Sequence, residues 1–394
     1  MRTTTHAPRE AAGPSVPRPV PRVVAHLLPW PGVGGVEQAT LRIAQAARAR
    51  GVRNVMLVRA DADHVHDFVT DHGFAAVRFA PVQLSGRRPA AYLRNMRAIA
   101  GALQHQGAEL LHCADVMGGF YGALAGRLAR LPVICHVRNP FPDLSRRERA
   151  LLLPVEHFVF VSADTWRAFA PRVPAHRGRV LYDGLPVRAR AASGAAVRAE
   201  LGIAATAPLI GMVARLSPQK DYETLGHAAV RVLQGVPTAR FVVVGDVAME
   251  PAHRAHYALV EQQLAALGVR EAFAFTGFRS DVERLMSAFD LFVLSTHFEG
   301  LPLAVLEAMA LGLPTVATAV NGIPELIPSP DVGTLVPPRD PIALAGAVLA
   351  MLADPAAAAR RGAAAQAFVR TRFSQDAFAQ GIAALYADLL GARR

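Results

Sequence analysis

Short apolar runs alternate with amphipathic stretches along most of this chain, and this alternation limits the folds that it can adopt. In the first half, residues 36–49 and 118–130 carry small and apolar residues at helical spacing. The apolar runs around them are 22–28, 54–58, 110–113, 132–137, 157–162 and 179–182. Runs of this length between helices are typical of parallel strands joined by crossover helices. The first half therefore predicts a doubly wound α/β domain.

The same pattern restarts after residue 200. The apolar runs of the second half are 209–214, 240–246, 272–278, 291–295, 314–318 and 333–336. Because 394 residues are too many for one ordinary domain, we predict two Rossmann-like α/β domains, at 21–185 and 201–373. Residues 186–200 have no strand pattern and are predicted to be the linker. Residues 374–394 are predicted to form a docked terminal helix that Ser374 caps.

Composition narrows the classes of function. Residues 1–20 are rich in proline and lack an apolar segment, so we expect a disordered leader and no signal peptide. The sequence contains no run of 18 apolar residues, so no membrane-spanning helix is predicted. Cys113 and Cys135 are the only cysteines, which favours a reducing cytosol over a disulfide framework or a paired-cysteine metal site. The net charge of +11 suits phosphate-bearing partners, but the basic residues form no strip typical of nucleic-acid binding.

The segment HFEGLPLAVLEAMALGLP (297–314) follows a predicted strand and carries Glu299 and Glu307. In the predicted helix, Glu307 is the only charge and has no salt-bridge partner three or four residues away. An unpaired buried carboxylate is costly, so Glu307 either reaches solvent or accepts hydrogen bonds from a group outside this segment, and we favour ligand hydroxyls. Gly300 either lets backbone amides approach a phosphate or forms a plain turn.

A second segment, LIGMVARLSPQKD (209–221), predicts a strand that ends near Arg215 and a turn that leads to Lys220. Lys220 is the only lysine among 42 basic residues. The carboxyl ends of strands face the ligand crevice in an open α/β sheet. Arg215 and Lys220 therefore either neutralise a diphosphate together or are two solvated charges.

The glycine-rich turn in LPWPGVGGVEQAT (28–40) is a weaker signal. Its glycines do not complete the dinucleotide fingerprint, because Glu37 occupies the position of the last glycine. A nicotinamide oxidoreductase is therefore disfavoured. The turn either lets the backbone approach an anion, with Glu37 facing the cleft, or has only a structural role. The only Asp-x-Asp sequence, Asp61-Ala62-Asp63, favours an exposed turn over a metal site.

Together these motifs resemble the retaining glycosyltransferases of family 4, from about residue 22 to residue 390. The resemblance rests on GGVE, on His136 within CHV, and on VSADT, VARLSPQKD, VVVGD, TGFRSDV, FEGLPLAVLEAMA and TAVNGIPELI. It implies the GT-B fold, in which two Rossmann-like domains face each other across a cleft and a C-terminal helix packs back toward the first domain. Asp183-Gly184 departs from the family, where Asn-Gly is frequent, and so does Val247, where glycine is frequent.

The resemblance also implies roles for residues of the second domain. Arg215 and Lys220 would bind the diphosphate of the sugar donor, and Glu307 would accept hydrogen bonds from its ribose. Glu299 would lie beside the transferred sugar. Gly300 and Leu301 would offer backbone amides to the phosphate, and the loop with Arg279 and Val282 would hold the base.

For the first domain, the resemblance implies that His136 approaches the sugar and that Gly34 and Gly35 line the opposite wall. His136, Glu299, Arg215 and Lys220 are the predicted catalytic residues. Glu37 and Arg138 are candidates for binding the acceptor. Arg138 either contacts the acceptor together with nearby aromatic and basic residues or belongs to a solvated loop.

The implied activity is transfer of a sugar from a nucleotide diphosphate, with a UDP-sugar as the leading candidate and GDP-mannose next. The acceptor would be a saccharide or a lipid-linked saccharide, the anomeric configuration would be retained, and neither a metal ion nor another cofactor is expected. We expect a cytoplasmic protein whose arginine-rich surface could hold it at an anionic inner membrane. The alternatives are a nucleotide-sugar epimerase and an inactive nucleotide-sugar-binding protein on the same fold. The oligomeric state is not predicted.

Overall fold

The computed structural model describes residues 22–82, 89–170, 172–247 and 251–391, so the predicted leader at 1–20 lies outside the described residues. The strands of the first domain are β1 (Val23–Leu28), β2 (Arg53–Arg59), β3 (Ala75–Phe79), β4 (Leu110–Cys113), β5 (Val133–Val137), β6 (His157–Phe160) and β7 (Gly178–Val180). Its helices are α1 (Gly35–Arg48), α2 (Asp63–Asp71), α3 (Pro89–His105), α4 (Val116–Leu128), α5 (Arg146–Leu151) and α6 (Ala163–Ala168).

All strands of the first sheet are parallel, in the order β3-β2-β1-β4-β5-β6-β7. The central strands β4 and β5 are fully buried, as their apolar runs predict. β3 was not predicted; it forms the edge of the sheet and keeps most of its residues partly exposed. Its apolar run is therefore too weak to predict a strand.

The second domain repeats this architecture. Its strands are β8 (Leu209–Val213), β9 (Arg240–Val244), β10 (Phe273–Phe275), β11 (Leu291–Leu294), β12 (Thr315–Thr318) and β13 (Thr334–Val336). Its helices are α7 (Gly194–Glu200), α8 (Tyr222–Gly235), α9 (Pro251–Ala266), α10 (Val282–Met286), α11 (Leu303–Ala310), α12 (Ile323–Leu326), α13 (Pro341–Ala353) and α14 (Pro355–Arg372). The sheet is parallel, in the order β10-β9-β8-β11-β12-β13. The prediction of two doubly wound domains is confirmed, and the predicted linker contains α7.

The last helix, α15 (Gln375–Gly391), returns to the first domain. Ser374 caps it as predicted, since its hydroxyl accepts the Ala377 N–H at 3.2 Å. Its apolar face packs with α1 and with the first sheet, where the Tyr386 hydroxyl lies 2.9 Å from His112 Nδ1. The expected return of the C-terminal helix to the first domain is therefore confirmed.

No single helix in the described part of the chain has the length and apolarity needed to cross a bilayer. Helices α13 and α14 pass such a test only as a pair, and the chain bends by 104° between them.

Candidate functional site

The carboxyl ends of the two sheets approach each other closely at Gly300. A β carbon on Gly300 would overlap the carbonyl oxygen of Arg138, the first residue after β5. The sequence left open whether this glycine serves a plain turn or a close approach. The structure shows a close approach, and the approaching group is the backbone of the other domain.

Arg215 lies between the two domains. It is exposed, and its Cζ would be 4.0 Å from a β carbon on Gly34. Gly35 faces the second domain in the same way, since a β carbon on it would be 3.9 Å from Leu303 Cδ1. The glycine turn and the end of β8 therefore line the same gap, as the sequence analysis expects for Arg215, Gly34 and Gly35.

Lys220 forms an ion pair with Glu299, and both side chains are largely buried. The Glu299 carboxylate also accepts a hydrogen bond from the Thr296 hydroxyl at 3.0 Å. The backbones of Lys220 and Thr296 are bridged as well, so the loops after β8 and β11 are held together. Lys220 and Glu299, both predicted to be catalytic, therefore neutralise each other. A bound phosphate would compete with Glu299 for the Lys220 ammonium group.

Glu307 is not unpaired. Its Oε1 accepts a hydrogen bond from Arg42 Nη2 of α1 at 2.6 Å, and the two side chains are 30% and 21% exposed. The sequence could not show this partner, because 265 residues separate the two. Arg42 therefore takes up one of the two oxygens that a ribose diol would use.

Gly300 and Leu301 precede α11, which begins at Leu303. Leu301 is 7% exposed and packs into the core of the second domain. Their backbone therefore lies at the amino end of α11, where a phosphate is favourable. This is the position that the sequence analysis expects for them.

Glu37 is buried behind the glycine turn. Its Oε2 accepts the Gly34 N–H at 2.9 Å, and its Oε1 has no hydrogen-bond partner among the described residues. Burial is the main cause that raises the pKa of Glu37 to about 7, and the Asp115 carboxylate adds to the rise. The Gly34 N–H and the Arg215 charge oppose it. The carboxyl group caps α1 from inside the domain, and only 2% of the residue is exposed for an acceptor.

His136 does not approach the cleft, and the role predicted for it is wrong. It is completely buried, and its ring stacks on His112 with 5.5 Å between centroids, on the side of the sheet that carries Tyr386. Burial holds the pKa of His136 well below its usual value. Side chains alternate along a strand, so a residue inside β5 can point into the core although the end of that strand faces the cleft.

Arg138 follows β5 and reaches the rim between the domains, but its guanidinium is turned inward. Its Nη1 donates to Asp183 Oδ2 at 2.9 Å and its Nε donates to the Ala114 carbonyl at 3.1 Å. Arg138 is 8% exposed and Asp183 is 2% exposed. The ion pair ties the end of β5 to the segment after β7.

In the loop after β10, the Arg279 guanidinium is paired with two carboxylates. Arg279 Nε and Nη1 are each 2.7 Å from a carboxylate oxygen, of Asp281 and Glu200 respectively. Val282 begins α10 and is partly buried. A base contact from Arg279 would require it to leave one of these carboxylates.

The Asp-x-Asp sequence lies in two separate ion pairs. Arg59 binds Asp61 and Arg78 binds Asp63, each at 2.7 Å. Over residues 22–82, 89–170, 172–247 and 251–391, no group of three or more His, Cys, Asp or Glu side chains is placed to hold a metal ion.

A second set of contacts between the domains was not predicted. Glu325 accepts hydrogen bonds from the backbone N–H groups of Ala163 and Asp164, at 3.0 and 2.9 Å, and from the Tyr182 hydroxyl at 2.8 Å. Asn321 donates to Asp164 at 3.2 Å. The motif TAVNGIPELI drew attention to this segment, but the sequence gave no reason to pair it with the start of α6.

Comparison with known proteins identifies the family. The family description "Glycosyl transferase 4-like domain" matches residues 34–173, and "Glycosyl transferases group 1" matches residues 207–354. The chain belongs to the group 1 glycosyl transferases. The two matches fall on the two α/β domains, so both halves of this glycosyltransferase carry the family signature.

Two curated relatives cover most of the chain. The Escherichia coli UDP-Gal:alpha-D-GlcNAc-diphosphoundecaprenol alpha-1,3-galactosyltransferase is 23% identical, over 76% of this chain and 80% of its own length. The Streptomyces fradiae 2-deoxystreptamine N-acetyl-D-glucosaminyltransferase is 28% identical, over 80% of this chain and 82% of its own. These relatives and the family matches show that the chain is a glycosyltransferase.

Solved structures show the same fold. The crystal structure of Anabaena HepE in complex with UDP and glucose superposes with a TM-score of 0.81 at 24% identity, over 92% of this chain and 98% of that one. The sucrose-phosphate synthase of Thermosynechococcus elongatus has a TM-score of 0.77 at 20% identity, over 94% and 100%. The predicted GT-B architecture is therefore confirmed.

Proposed function

We propose that this glycosyltransferase moves a hexose from a UDP-sugar to a saccharide or lipid-linked saccharide, with retention of configuration and without a metal ion. The observation that carries the proposal is the meeting of Arg215 with the glycine turn of the other domain, at 4.0 Å from the β-carbon position of Gly34. The cation lies at the carboxyl end of β8, where α/β sheets bind ligands. Lys220 follows in the same loop.

The two cations would stabilise the leaving group. When the anomeric C–O bond to the phosphate breaks, negative charge builds on the diphosphate, and fixed positive charges next to it lower the barrier. Phosphate binding would draw Lys220 from Glu299 and leave that carboxylate free to accept hydrogen bonds from the sugar. Arg215 and Lys220 would supply the positive charge that a metal ion supplies in many other transferases.

The proposed route is attack on the same face as the leaving group. The acceptor hydroxyl oxygen forms the new bond to the anomeric carbon while the bond to the phosphate oxygen breaks. The hydroxyl proton passes to the departing phosphate. No side chain is assigned as a covalent nucleophile, since Glu299 is buried and its carboxylate accepts a hydrogen bond from the Thr296 hydroxyl.

The names of relatives support the choice of donor and acceptor. HepE binds UDP and glucose in its crystal structure, and the Escherichia coli relative is named for UDP-Gal and a diphosphoundecaprenol-linked acceptor. A net charge of +11 would favour contact with an anionic membrane that carries such an acceptor. The free thiols of Cys113 and Cys135 suit a cytoplasmic location.

The test is a transfer assay with UDP-glucose, UDP-galactose, UDP-N-acetylglucosamine and GDP-mannose, each with and without excess EDTA. We expect transfer from a UDP-sugar that EDTA does not reduce, and an α-linked product by NMR from an α-linked donor. Activity that only added divalent metal restores would contradict metal independence. Conversion of the donor without any acceptor would favour an epimerase.

Variants of the two cations test the site itself. Arg215→Ala and Lys220→Ala should each lower kcat roughly 10²- to 10³-fold, as does removal of one group that stabilises transition-state charge. Arg360→Ala, an exposed arginine of α14, is the matched control and should keep full activity. Full activity in the Arg215→Ala/Lys220→Ala double variant would refute the proposed function.

A further inference from the structure

The loop that carries Glu299 and Gly300 rests on the first domain. A β carbon on Gly322 would overlap the Gly300 carbonyl oxygen and would be 3.0 Å from the Ser162 side chain. The Ser162 hydroxyl donates to the same carbonyl at 3.4 Å. The loop therefore lies between residue 322 of its own domain and the residue that precedes α6 in the other domain, with no room for a side chain.

Asn321 connects this loop to the first domain. Its Oδ1 accepts the Glu299 N–H at 3.1 Å, and its Nδ2 donates to Asp164 Oδ2 at 3.2 Å. Its φ is +46°, a left-handed conformation that non-glycine residues seldom adopt. Such a conformation persists where the surroundings hold it in place, and here two side-chain hydrogen bonds do so.

Glu325 fixes the same segment from its other end. Its two carboxylate oxygens accept the first backbone N–H groups of α6, from Ala163 and Asp164. A carboxylate at the start of a helix is favoured by the helix dipole. The position of the segment with Asn321 and Glu325 therefore depends on the position of α6. Asn321 Oδ1 links this segment to the backbone of Glu299.

We propose that Asn321 is a positioning residue that couples domain closure to the reactive loop. When α6 of the first domain meets the second domain, Asp164 orients the Asn321 amide, and Asn321 then holds the Glu299–Gly300 backbone in place for transfer. When the domains are apart, Asn321 loses Asp164, and the loop loses this support. The inference rests on the proposed function, because it assigns Glu299 and Gly300 to the sugar-donor site.

The coupling predicts which kinetic parameter changes. Arg215, Lys220 and Glu307 are the proposed side-chain contacts to UDP, whereas the Asn321 side chain bonds to Glu299 and Asp164. Because the Gly300 and Leu301 amides expected at the phosphate belong to this loop, loss of the Asn321 contacts should weaken UDP binding slightly and lower kcat by a much larger factor. A residue that only kept the domain folded would change both to a similar extent.

The experiment exchanges the two partners. Asn321→Asp keeps an oxygen for the Glu299 N–H but sets a second carboxylate against Asp164. We expect kcat to fall roughly 10- to 100-fold, the size of a lost hydrogen bond and a like-charge contact at a part-buried site. Asp164→Asn alone should stay within about threefold, because an amide can still accept from Asn321. The Asn321→Asp/Asp164→Asn double variant restores one donor and one acceptor, and its kcat should return to within about threefold of the native value.

Asn321→Gly separates the side chain from the backbone conformation. Glycine adopts a φ of +46° without strain, so this variant removes the hydrogen bonds and keeps the turn. Its kcat should also fall, with UDP affinity by titration calorimetry and the thermal midpoint close to native.

Three outcomes would overturn the inference: native kcat in Asn321→Asp, no recovery in the double variant, or a loss of UDP affinity that parallels the loss of kcat. Failure of the proposed function would look different, since the native protein would then not transfer sugar from a UDP-sugar or would not need Arg215 and Lys220.

Discussion

At the scale of single residues, burial decides which charged groups can do chemistry. Glu37 and His136 were both expected at the cleft, and both are enclosed in the first domain. Burial shifts both toward the neutral form, raising the pKa of the Glu37 carboxyl group and lowering that of the His136 imidazole. Lys220 is also largely buried, but it has Glu299 as a partner, so the two side chains form an ion pair.

Glu37 should make the stability of the protein depend on pH. Its pKa rises from 4.5 in the unfolded chain to about 7 in the folded one, so the folded state keeps a proton that the unfolded chain loses between these values. The free energy of unfolding should therefore fall by up to about 3 kcal/mol as the pH rises through this window. Glu37→Gln removes the titration and keeps an oxygen for the Gly34 N–H. Its stability relative to the native protein should thus improve between pH 4.5 and pH 8.

Chemical denaturation of both proteins at the two pH values measures this difference. Glu271→Gln, at an exposed site, is the control and should show no such trend. A constant difference between native protein and Glu37→Gln across the pH range would show that the buried carboxyl group is already ionised at low pH.

At the scale of elements, the sequence predicted most of the strands but few of the side-chain contacts between elements. Of the two alternatives left open for Arg215, its place beside the glycine turn favours the cleft, because parallel strands bring their carboxyl ends to one edge. The place of Gly35 was implied by the family resemblance. His136 was misplaced because the sequence fixes the strand but leaves open which face each side chain takes. Arg42, Asp164 and Asn321 act through contacts between domains, and no local pattern of residues reports such contacts.

Gly300 tests the contact between the loop before α11 and the end of β5. In Gly300→Ala the new β carbon would overlap the Arg138 carbonyl oxygen, a backbone atom that cannot rotate away. We expect the domains to separate, with a loss in kcat of roughly 10²-fold or more, as for a misplacement of about 1 Å at a reacting centre. Small-angle scattering should show a larger radius of gyration.

Gly346→Ala in α13 is the matched control, since a β carbon there meets nothing within 4 Å. It should leave kcat and the radius of gyration unchanged and raise stability by roughly 0.5–1 kcal/mol, the usual gain for glycine to alanine within a helix. Native kcat in Gly300→Ala would mean that transfer does not need the two backbones this close.

At the scale of the whole molecule, the last helix of the chain belongs to the first domain. Helix α15 is last in sequence, but it packs on α1 and on the sheet of the first domain, where Ile382, Leu385 and Tyr386 are each 1% exposed. The chain therefore crosses between the domains twice, once near Leu185, which packs into the second core, and once before α15. Both ends of the described chain, at β1 and α15, lie in the first domain.

A substitution near the C-terminus should therefore destabilise the N-terminal domain. Leu385→Ala removes a buried side chain that packs with Ile43 and Val159, at a cost of about 2–5 kcal/mol. Hydrogen exchange should speed up in β1, β4 and β5 and stay unchanged in β8 and β11. Leu344→Ala in α13, also 1% exposed, is the matched control and should give the reverse pattern. If Leu385→Ala speeds exchange equally in both sheets, the two domains unfold as one cooperative unit, and the chain crossings couple them more tightly than their separate cores indicate.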